Sequence, residues 1–574
     1  MYFNSQGEAE VTYDAIVVGT GISGGWAAKE LCEKGLKTLV LERGRNVRHV
    51  LDYPTANGDP WDYKYRDQLT VKELENYPVQ SRTGYTMRET TKHWWVNDLE
   101  NPYSETKRFD WIRGYHVGGR SIMWGKQSYR WSDLDFTANA KDGHGVDWPI
   151  RYDDIAPWYD HVERFAGISG QKEGLPQLPD GQFLPPMEMN CVEQHLRKSI
   201  AENFGGRVMT IGRAAHLTVP DPAYHANRGK CLYRNRCIRG CPYGAYFSSN
   251  ASTLPAAEAT GNMTLRPFSI VHSVIIDPET KKATGVRIID AETNEQHEFF
   301  AKVIFLCAST LGSTFILMNS KSEAHPDGLG ASSGELGHNL MDHHFRCGAG
   351  GEYEGFGDKY YKGRRPNGIY VPRFRNLDKA TERKDYVRGF GYQGGASREN
   401  WVQGIAELDM TLGADLKAKL IKPGPWRMGL GGFAECLPYH ENKVTLDGEK
   451  KDKWGLPTFN IDCEFKENEM NMRKDMINDA AEMLEAAGFK DIETYDAGSW
   501  PGLAIHEMGT ARMGKSAKTS VLNKWNQVWD APNVFVTDGS CMTSASCVNP
   551  SLTYMALTAR AANYAVEELK KMNL

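Results

Sequence analysis

Two sets of residues in this chain of 574 residues have types and spacings that could do chemistry. The first is Cys231, Cys237 and Cys241, spaced C-x5-C-x3-C, with Arg236 and Arg239 among them and Pro242 following. Eleven cysteines is an odd number, too dilute in so long a chain for a disulfide framework, so thiols gathered this tightly suggest a metal. The spacing is neither the usual zinc pattern nor the four-cysteine ferredoxin run, although it shares the latter's final Cys-Pro, and three ligands suit a three-iron cluster. A zinc site completed by a histidine such as His225, and simple free or disulfide-bonded cysteines, remain as alternatives.

The second set is Gly19-Thr20-Gly21-Ile22-Ser23-Gly24, placed between the β-branched run Tyr13 to Val18 and the helix-like Gly25 to Leu31. A second strand, Lys37 to Glu42, follows. In such a βαβ unit Gly19 permits the turn, Gly21 lets backbone approach a pyrophosphate, and Gly24 lets the helix pack on the sheet while its N-terminus faces the phosphate charge. Glu42 ends the second strand 18 residues after Gly24, where it can accept from ribose hydroxyls, and Arg43 beside it is a further cofactor-binding candidate. The unit could hold NAD or FAD.

The elements that must carry these groups are those of an α/β chain. A Gly-rich piece runs from Gly114 to Gly125, a helix is expected around Tyr152 to Phe165, and Gly174 to Pro186 reads as a surface connection. Residues 263–319 read strand, turn at Asp277-Pro278, strand, strand, helix, with Val303 to Cys307 as a central strand. Residues 345–500 alternate as an antiparallel sheet would, and Val534 to Asp538 leads into a long helix from about Pro550 to Met572. The 68 basic and 73 acidic residues give a net charge of −5, which excludes a surface built for phosphates and makes nucleic acid an unexpected partner. The 57 glycines are about a tenth of the chain against a usual ~7%, so many tight turns are expected. No apolar run approaches the ~18 residues of a membrane span. Met1 to Glu10 is polar and has neither a twin-Arg pair nor an apolar core, so no export signal is readable there.

Six further motifs, in order, resemble the glucose-methanol-choline family of FAD-dependent oxidoreductases over nearly the whole chain: Val117-Gly118-Gly119-Arg120-Ser121, Ser269-Ile270-Val271, Leu340-Met341-Asp342-His343, His506 to Gly514, Val536-Thr537-Asp538-Gly539-Ser540 and Asn549-Pro550-Ser551-Leu552-Thr553. The resemblance implies a Rossmann-like FAD-binding domain (residues 1–165, 245–335 and 500–574), an insert with the cysteines (166–244), and an interleaved α+β substrate domain on an antiparallel sheet (336–499). It implies that Gly118, Gly119 and Ser121 wrap the flavin, that Val271 touches adenine through its backbone, and that Asp538 and Gly539 hold the ribityl and pyrophosphate region. Leu340 to His343 is similar to the element that opens the substrate lobe; plain packing of a buried His343 is the other reading. Met123 stands where related enzymes often have a histidine that tethers FAD, so dissociable FAD is expected.

His506 is the expected base, because oxidising an alcohol removes the hydroxyl proton as hydride leaves carbon, and imidazole titrates in a suitable range. Asn549 is the expected second catalytic residue, orienting the substrate oxygen. Its rival role is the cap of the terminal helix, since Asn then Pro suits the N-cap and first helical position. The positive end of that helix, near Thr553, would face the flavin edge that gains charge on reduction. The match looks most like catalytic subunits of bacterial glucoside 3-dehydrogenases. That implies oxidation of a glucoside C3 hydroxyl, a [3Fe-4S] cluster on Cys231, Cys237 and Cys241, a small subunit bearing a twin-Arg signal for periplasmic export, and a c-type cytochrome as acceptor. A C2-acting pyranose or gluconate enzyme, an FAD-containing hydroxynitrile lyase and a non-catalytic flavoprotein are the competing functions. Trp94, Trp95 and Trp426 could stack on a sugar, but core packing is their default.

Overall fold

The structure, a computed structural model, describes residues 12–84, 87–360, 365–398, 412–421 and 423–574. The Met1 to Glu10 segment, on which the export reading rests, lies outside the described residues.

The β-branched N-terminal run forms a strand, Tyr13–Val18, buried along almost its whole length. A strand with neighbours on both edges and helices on both faces needs such a continuous apolar sequence. It pairs in parallel with Thr38–Leu41 on one side and Gln296–Leu306 on the other. Met263–Arg266 and Ala531–Val536 extend the parallel sheet at its two sides. The antiparallel hairpin Ser269–Ile276 and Ala283–Asp290 continues from Gln296–Leu306, as the strand, turn, strand, strand pattern requires. Helix Ile22–Glu33 is buried on most of its surface, from Ser23 to Cys32, between the sheet and the terminal helix Ser551–Lys570.

A second sheet is wholly antiparallel, in the order Lys490–Asp496, Cys347–Tyr353, Trp426–Ala434, Phe390–Arg398, Ile369–Val371, Thr210–Ile211. Helix Glu467–Ala486 lays Met472, Met476, Met483 and Leu484 on it, all fully buried. The cysteine-bearing insert does not stand apart. Its helix Cys191–Asn203 puts Val192, Leu196 and Ile200 into the core of this lobe, and Thr210–Ile211 is the lobe's edge strand. An i, i+4, i+8 apolar stripe must find an apolar partner, and the sheet supplies it. Conversely, the hairpin Lys443–Lys451 and Pro457–Asp462 joins Ser104–Glu105 and packs Val444, Phe459 and Ile461 into the main core. Trp94 and Trp426 are core residues, both 1% exposed.

Candidate active site

A cavity of about 1510 Å³ runs between the two sheets, larger than the ~300–1,000 Å³ of most small-molecule sites and large enough for a dinucleotide with a substrate beside it. Gly19, Gly21, Glu42, Arg43, Gly119, Ser121, Val271, His506, Asp538, Gly539 and Asn549 all line it.

The glycine loop is built as its spacing implies. Gly19 has φ +96°, and a Cβ there would sit 2.4 Å from the Cys307 carbonyl oxygen. Gly24 does not reach the cavity; a Cβ on it would lie 1.9 Å from the Gly19 oxygen, so its role is helix-to-loop packing. A Cβ on Gly21 would meet nothing within 4 Å, so the absent side chain leaves room on the cavity side of the helix N-terminus. Thr20 ties the pieces together: its hydroxyl donates to Glu42 Oε2 and accepts from the Gly118 amide at 2.9 Å. Gly118 lies behind the wall against Asn250, while Gly119 faces Gly21. Glu42 also accepts from the Thr20 and Gly44 amides at 3.2 and 3.0 Å. Burial pushes its carboxyl upward, and these hydrogen bonds oppose the shift.

Arg43 stacks on Tyr115 and Trp454, with its guanidinium carbon 4.6 and 5.0 Å from the ring centres. Ser121 Oγ donates to the Gly118 carbonyl at 2.5 Å and accepts from the Ser249 amide. Asp538 accepts from the Ser540 amide at 3.0 Å and from the Ser313 and Ser540 hydroxyls at 2.5 and 2.6 Å. These residues fit FAD: an open glycine cradle at a helix N-terminus, an acid at the end of the second strand, and two further backbone walls. Thr553 departs from expectation. It is fully buried and its hydroxyl meets Tyr159 at 2.8 Å, whereas Ser551 and Tyr554 face the cavity. The helix starts at Ser551, and one residue along a helix turns the side chain by 100°.

His506 lies in an irregular segment held from behind. Both carboxylate oxygens of Asp342 accept from this segment, one from the His506 amide at 3.0 Å and one from the Ala504 amide at 3.1 Å. Burial and the nearby Glu507 charge push Asp342 up to about 8. Glu507 itself is gripped by Arg120 through three contacts of 3.0 to 3.2 Å.

The protonation of His506 follows from its neighbour. His343 Nε2 lies 2.7 Å from the Ser546 carbonyl oxygen, which can only accept, so this nitrogen carries the hydrogen. Burial brings His343 down to about 4, so its ring is neutral and its Nδ1 is an acceptor. His506 Nδ1, 3.0 Å away, must therefore donate to it. That leaves the lone pair of His506 on Nε2, the ring nitrogen with no partner among the described residues. Burial, the His343 ring and the Arg120 charge all depress the His506 pKa well below its usual value, so the ring is neutral and its Nε2 lone pair unprotonated at neutral pH.

Asn549 does not cap the terminal helix. Its Oδ1 accepts from Gln393 Nε2 at 2.8 Å, Pro550 holds the N-cap position of that helix, and its Nδ2 is left for the cavity. His343, Gln393, Asp342 and the Arg120–Glu507 pair are the site residues that sequence reasoning did not place in the site. His343 and Asp342 stood in the Leu340 to His343 motif, Arg120 in the Val117 to Ser121 motif and Glu507 in the His506 to Gly514 motif, whereas Gln393 carried no signal.

The cysteines do not form the ligand set their spacing suggests. Among the described residues no group of three or more His, Cys, Asp or Glu side chains is gathered as a metal ion requires. Cys231 is buried with Met187, Ile211 and Ala245, with Cys241 packed against that cluster, while the sulfur of Cys237 lies 3.9 Å from His216 Nε2. The one-turn helix Cys237–Arg239 and the turn at Gly240 (φ +87°) lie between the second and third cysteines, and Cys237 and Cys241 stand near enough to Cys231 for their charges to raise its thiol beyond what burial does. His225 is committed elsewhere: its Nε2 bonds the Arg164 carbonyl and its Nδ1 accepts from the Asp221 amide. The expected [3Fe-4S] cluster and the zinc alternative therefore do not fit these residues as arranged, and no step below passes through a metal.

The GMC oxidoreductase profiles match residues 13–345 with the family's N-terminal part and residues 438–558 with its C-terminal part. The chain is 30% identical to a 2-methyl-1,2-propanediol dehydrogenase from Mycolicibacterium austroafricanum, over 96% of this chain and 94% of that protein. It is 23% identical to the fructose dehydrogenase large subunit of Gluconobacter japonicus, over 97% and 98% of the two chains. Among solved structures, a variant of formate oxidase from Aspergillus oryzae superposes with a TM-score of 0.63 at 14% identity, covering 98% of this chain and 99% of that one.

Proposed function

From the premise that this chain belongs to the GMC oxidoreductase family, we propose that it is an FAD-dependent dehydrogenase that oxidises a ring hydroxyl of a glucoside, at C3, to a ketone. The observation that carries the reading is that His506 Nε2, a free base, and Asn549 Nδ2, a free donor, open on one cavity with the glycine cradle. FAD, when bound, supplies the hydride acceptor and hands the electrons to an external acceptor. The chain's part is to hold the sugar with one C–H toward the flavin and its oxygen between His506 and Asn549. His506 Nε2 takes the hydroxyl proton as the C–H bond breaks, and the Asn549 amide donates to the oxygen as charge grows on it. The positive charge His506 acquires is shared with His343, whose hydrogen bond to Ser546 fixes its ring.

The same reading includes a small export subunit bearing the twin-Arg signal, periplasmic residence and a c-type cytochrome. One relative is by its name a large subunit, which supports the multi-subunit part. No helix among the described residues is long and apolar enough to cross a membrane. A second reading, oxidation of a small diol, is favoured by the 30% identity to the 2-methyl-1,2-propanediol dehydrogenase. Turnover with an artificial one-electron acceptor on methyl β-glucoside, gluconate and 2-methyl-1,2-propanediol, with product NMR, decides among them. A 3-keto glucoside supports the proposal; a product only from gluconate at C2, or only from the diol, replaces it.

A further inference from the structure

Asn549 sits at the end of a line of side chains drawn from three separate parts of the fold. Tyr129 Oη donates to Gln127 Oε1 at 2.6 Å, Gln127 Nε2 lies 3.3 Å from Gln393 Oε1, and Gln393 Nε2 lies 2.8 Å from Asn549 Oδ1. Tyr129 is fully buried and its ring is stacked on Tyr370 with centres 4.2 Å apart. Gln127 and Asn549 are each 8% exposed, and Gln127, Gln393 and Asn549 all line the cavity.

A row of carboxamides has two possible directions, since each can be turned end for end. Here the far end selects one. Gln127 is the one acceptor for the Tyr129 hydroxyl hydrogen among the described residues. Reversal would make the phenol accept from Gln127 and leave its own hydrogen buried without a partner, a cost of about 1–3 kcal/mol. With Tyr129 as donor, each amide must present its oxygen toward Tyr129 and its NH₂ toward Asn549. The last NH₂ in the line, that of Asn549, then points at the cavity.

We propose that Gln127 and Gln393 are positioning residues that, with Tyr129 as the terminal donor, fix Asn549 so that it presents its NH₂ and not its oxygen to the reacting substrate oxygen. The inference rests on the hydroxyl-oxidising reading of the site. Its chemical content is directional. A donor at that point stabilises the charge that develops on oxygen when His506 removes the proton, whereas an acceptor there would repel it.

The test is Gln393→Glu beside Gln393→Leu, in the FAD-loaded enzyme with the best reducing substrate. An ionised carboxylate only accepts, so in Gln393→Glu it draws the Asn549 NH₂ toward itself and turns Oδ1 to the cavity. Loss of one such donor costs about 10²- to 10³-fold in kcat, with KM changed far less. When the introduced carboxyl is protonated it can donate again. The ratio of variant to wild-type kcat should therefore rise as the pH is lowered, while for Gln393→Leu the loss should not depend on pH. FAD content and the unfolding midpoint identify a variant that has failed to fold, and Tyr129→Phe, which removes only the terminal hydroxyl, then gives the second comparison, expected to lower kcat with KM preserved. A folded Gln393→Glu enzyme with wild-type kcat, or with a loss that ignores pH, overturns the proposal. If wild type is reduced by no hydroxyl compound, the functional reading fails instead, so the two failures are distinguishable.

Discussion

Replacing His343 by Phe removes the acceptor that holds the Nδ1 hydrogen of His506. His343 holds the Nδ1–H of His506 at 3.0 Å and thereby keeps the lone pair on Nε2. A Phe is suited to the site sterically, because the His343 ring already packs on Phe433 with centres 4.9 Å apart. With no acceptor left, His506 either keeps a buried unsatisfied donor or moves its hydrogen to Nε2 and ceases to be a base. Leaving a buried donor unpaired costs about 1–3 kcal/mol, which corresponds to a fall of about 5- to 150-fold in the competent population. His343→Asn keeps an acceptor oxygen near the place of the ring Nδ1 and should recover much of that loss. The assay is the rate of anaerobic flavin reduction after rapid mixing with substrate, alongside FAD content and the unfolding midpoint. If folded His343→Phe reduces its flavin within about 3-fold of wild type, below the smallest effect expected from an unpaired donor, or if His343→Asn is no better than Phe, His343 does not set the state of His506.

Three further outcomes follow from the geometry. Gly21→Val should fold, since Gly21 has φ −66° and open space where the Cβ would go, yet lose bound FAD as read by flavin absorbance; Gly24→Ala, forced to within 1.9 Å of the Gly19 oxygen, should instead lower the yield of folded protein. On the acid side the rate of flavin reduction should persist well below pH 6.5, because His506 is depressed far under that value. It should disappear as pH falls through about 4, where His343 gains a proton and can no longer accept; an acid limb centred at 6.5 would contradict the site's electrostatics. Finally, acid precipitation should release all the FAD into the supernatant, because Met123 lines the cavity and offers no nucleophile for a covalent link.

Much of the fold was legible in the sequence because its signals are local. The loop Gly19 to Gly24 lies between a strand and a helix within some thirty residues, and the all-apolar Val303 to Leu306 could only be an interior strand. The sheet of the second lobe was legible as alternation, but its composition was not. Helix Cys191–Asn203 and strand Thr210–Ile211 came to it from the insert, because apolar stripes are satisfied wherever the chain can bring a matching face. At the site, His506, His343 and Asn549 were readable as motif residues, while the pairing of His343 with His506 and the glutamines that hold Asn549 were not. Gln393 and Asn549 are 156 residues apart in sequence and Gln127 and Gln393 are 266 apart, so no window of sequence contains the relay. Thr553 and the three cysteines show the opposite limit. Spacing along the chain does not specify which way a side chain turns at a helix start, or whether a loop folds its thiols toward one point.

The most direct measurement is anaerobic mixing of the FAD-loaded protein with methyl β-glucoside, unlabelled and carrying deuterium at C3, while flavin absorbance is followed. The blocked anomeric oxygen removes C1 chemistry. Bleaching that is slower with the C3-deuterated sugar is the expected result, because in the proposed reaction the hydride leaves from C3, whose oxygen would sit between His506 and Asn549. Bleaching indifferent to the C3 label would move the reaction to another carbon, and a flavin that stays oxidised with the glucoside while a free sugar, gluconate or a diol bleaches it would contradict the glucoside assignment.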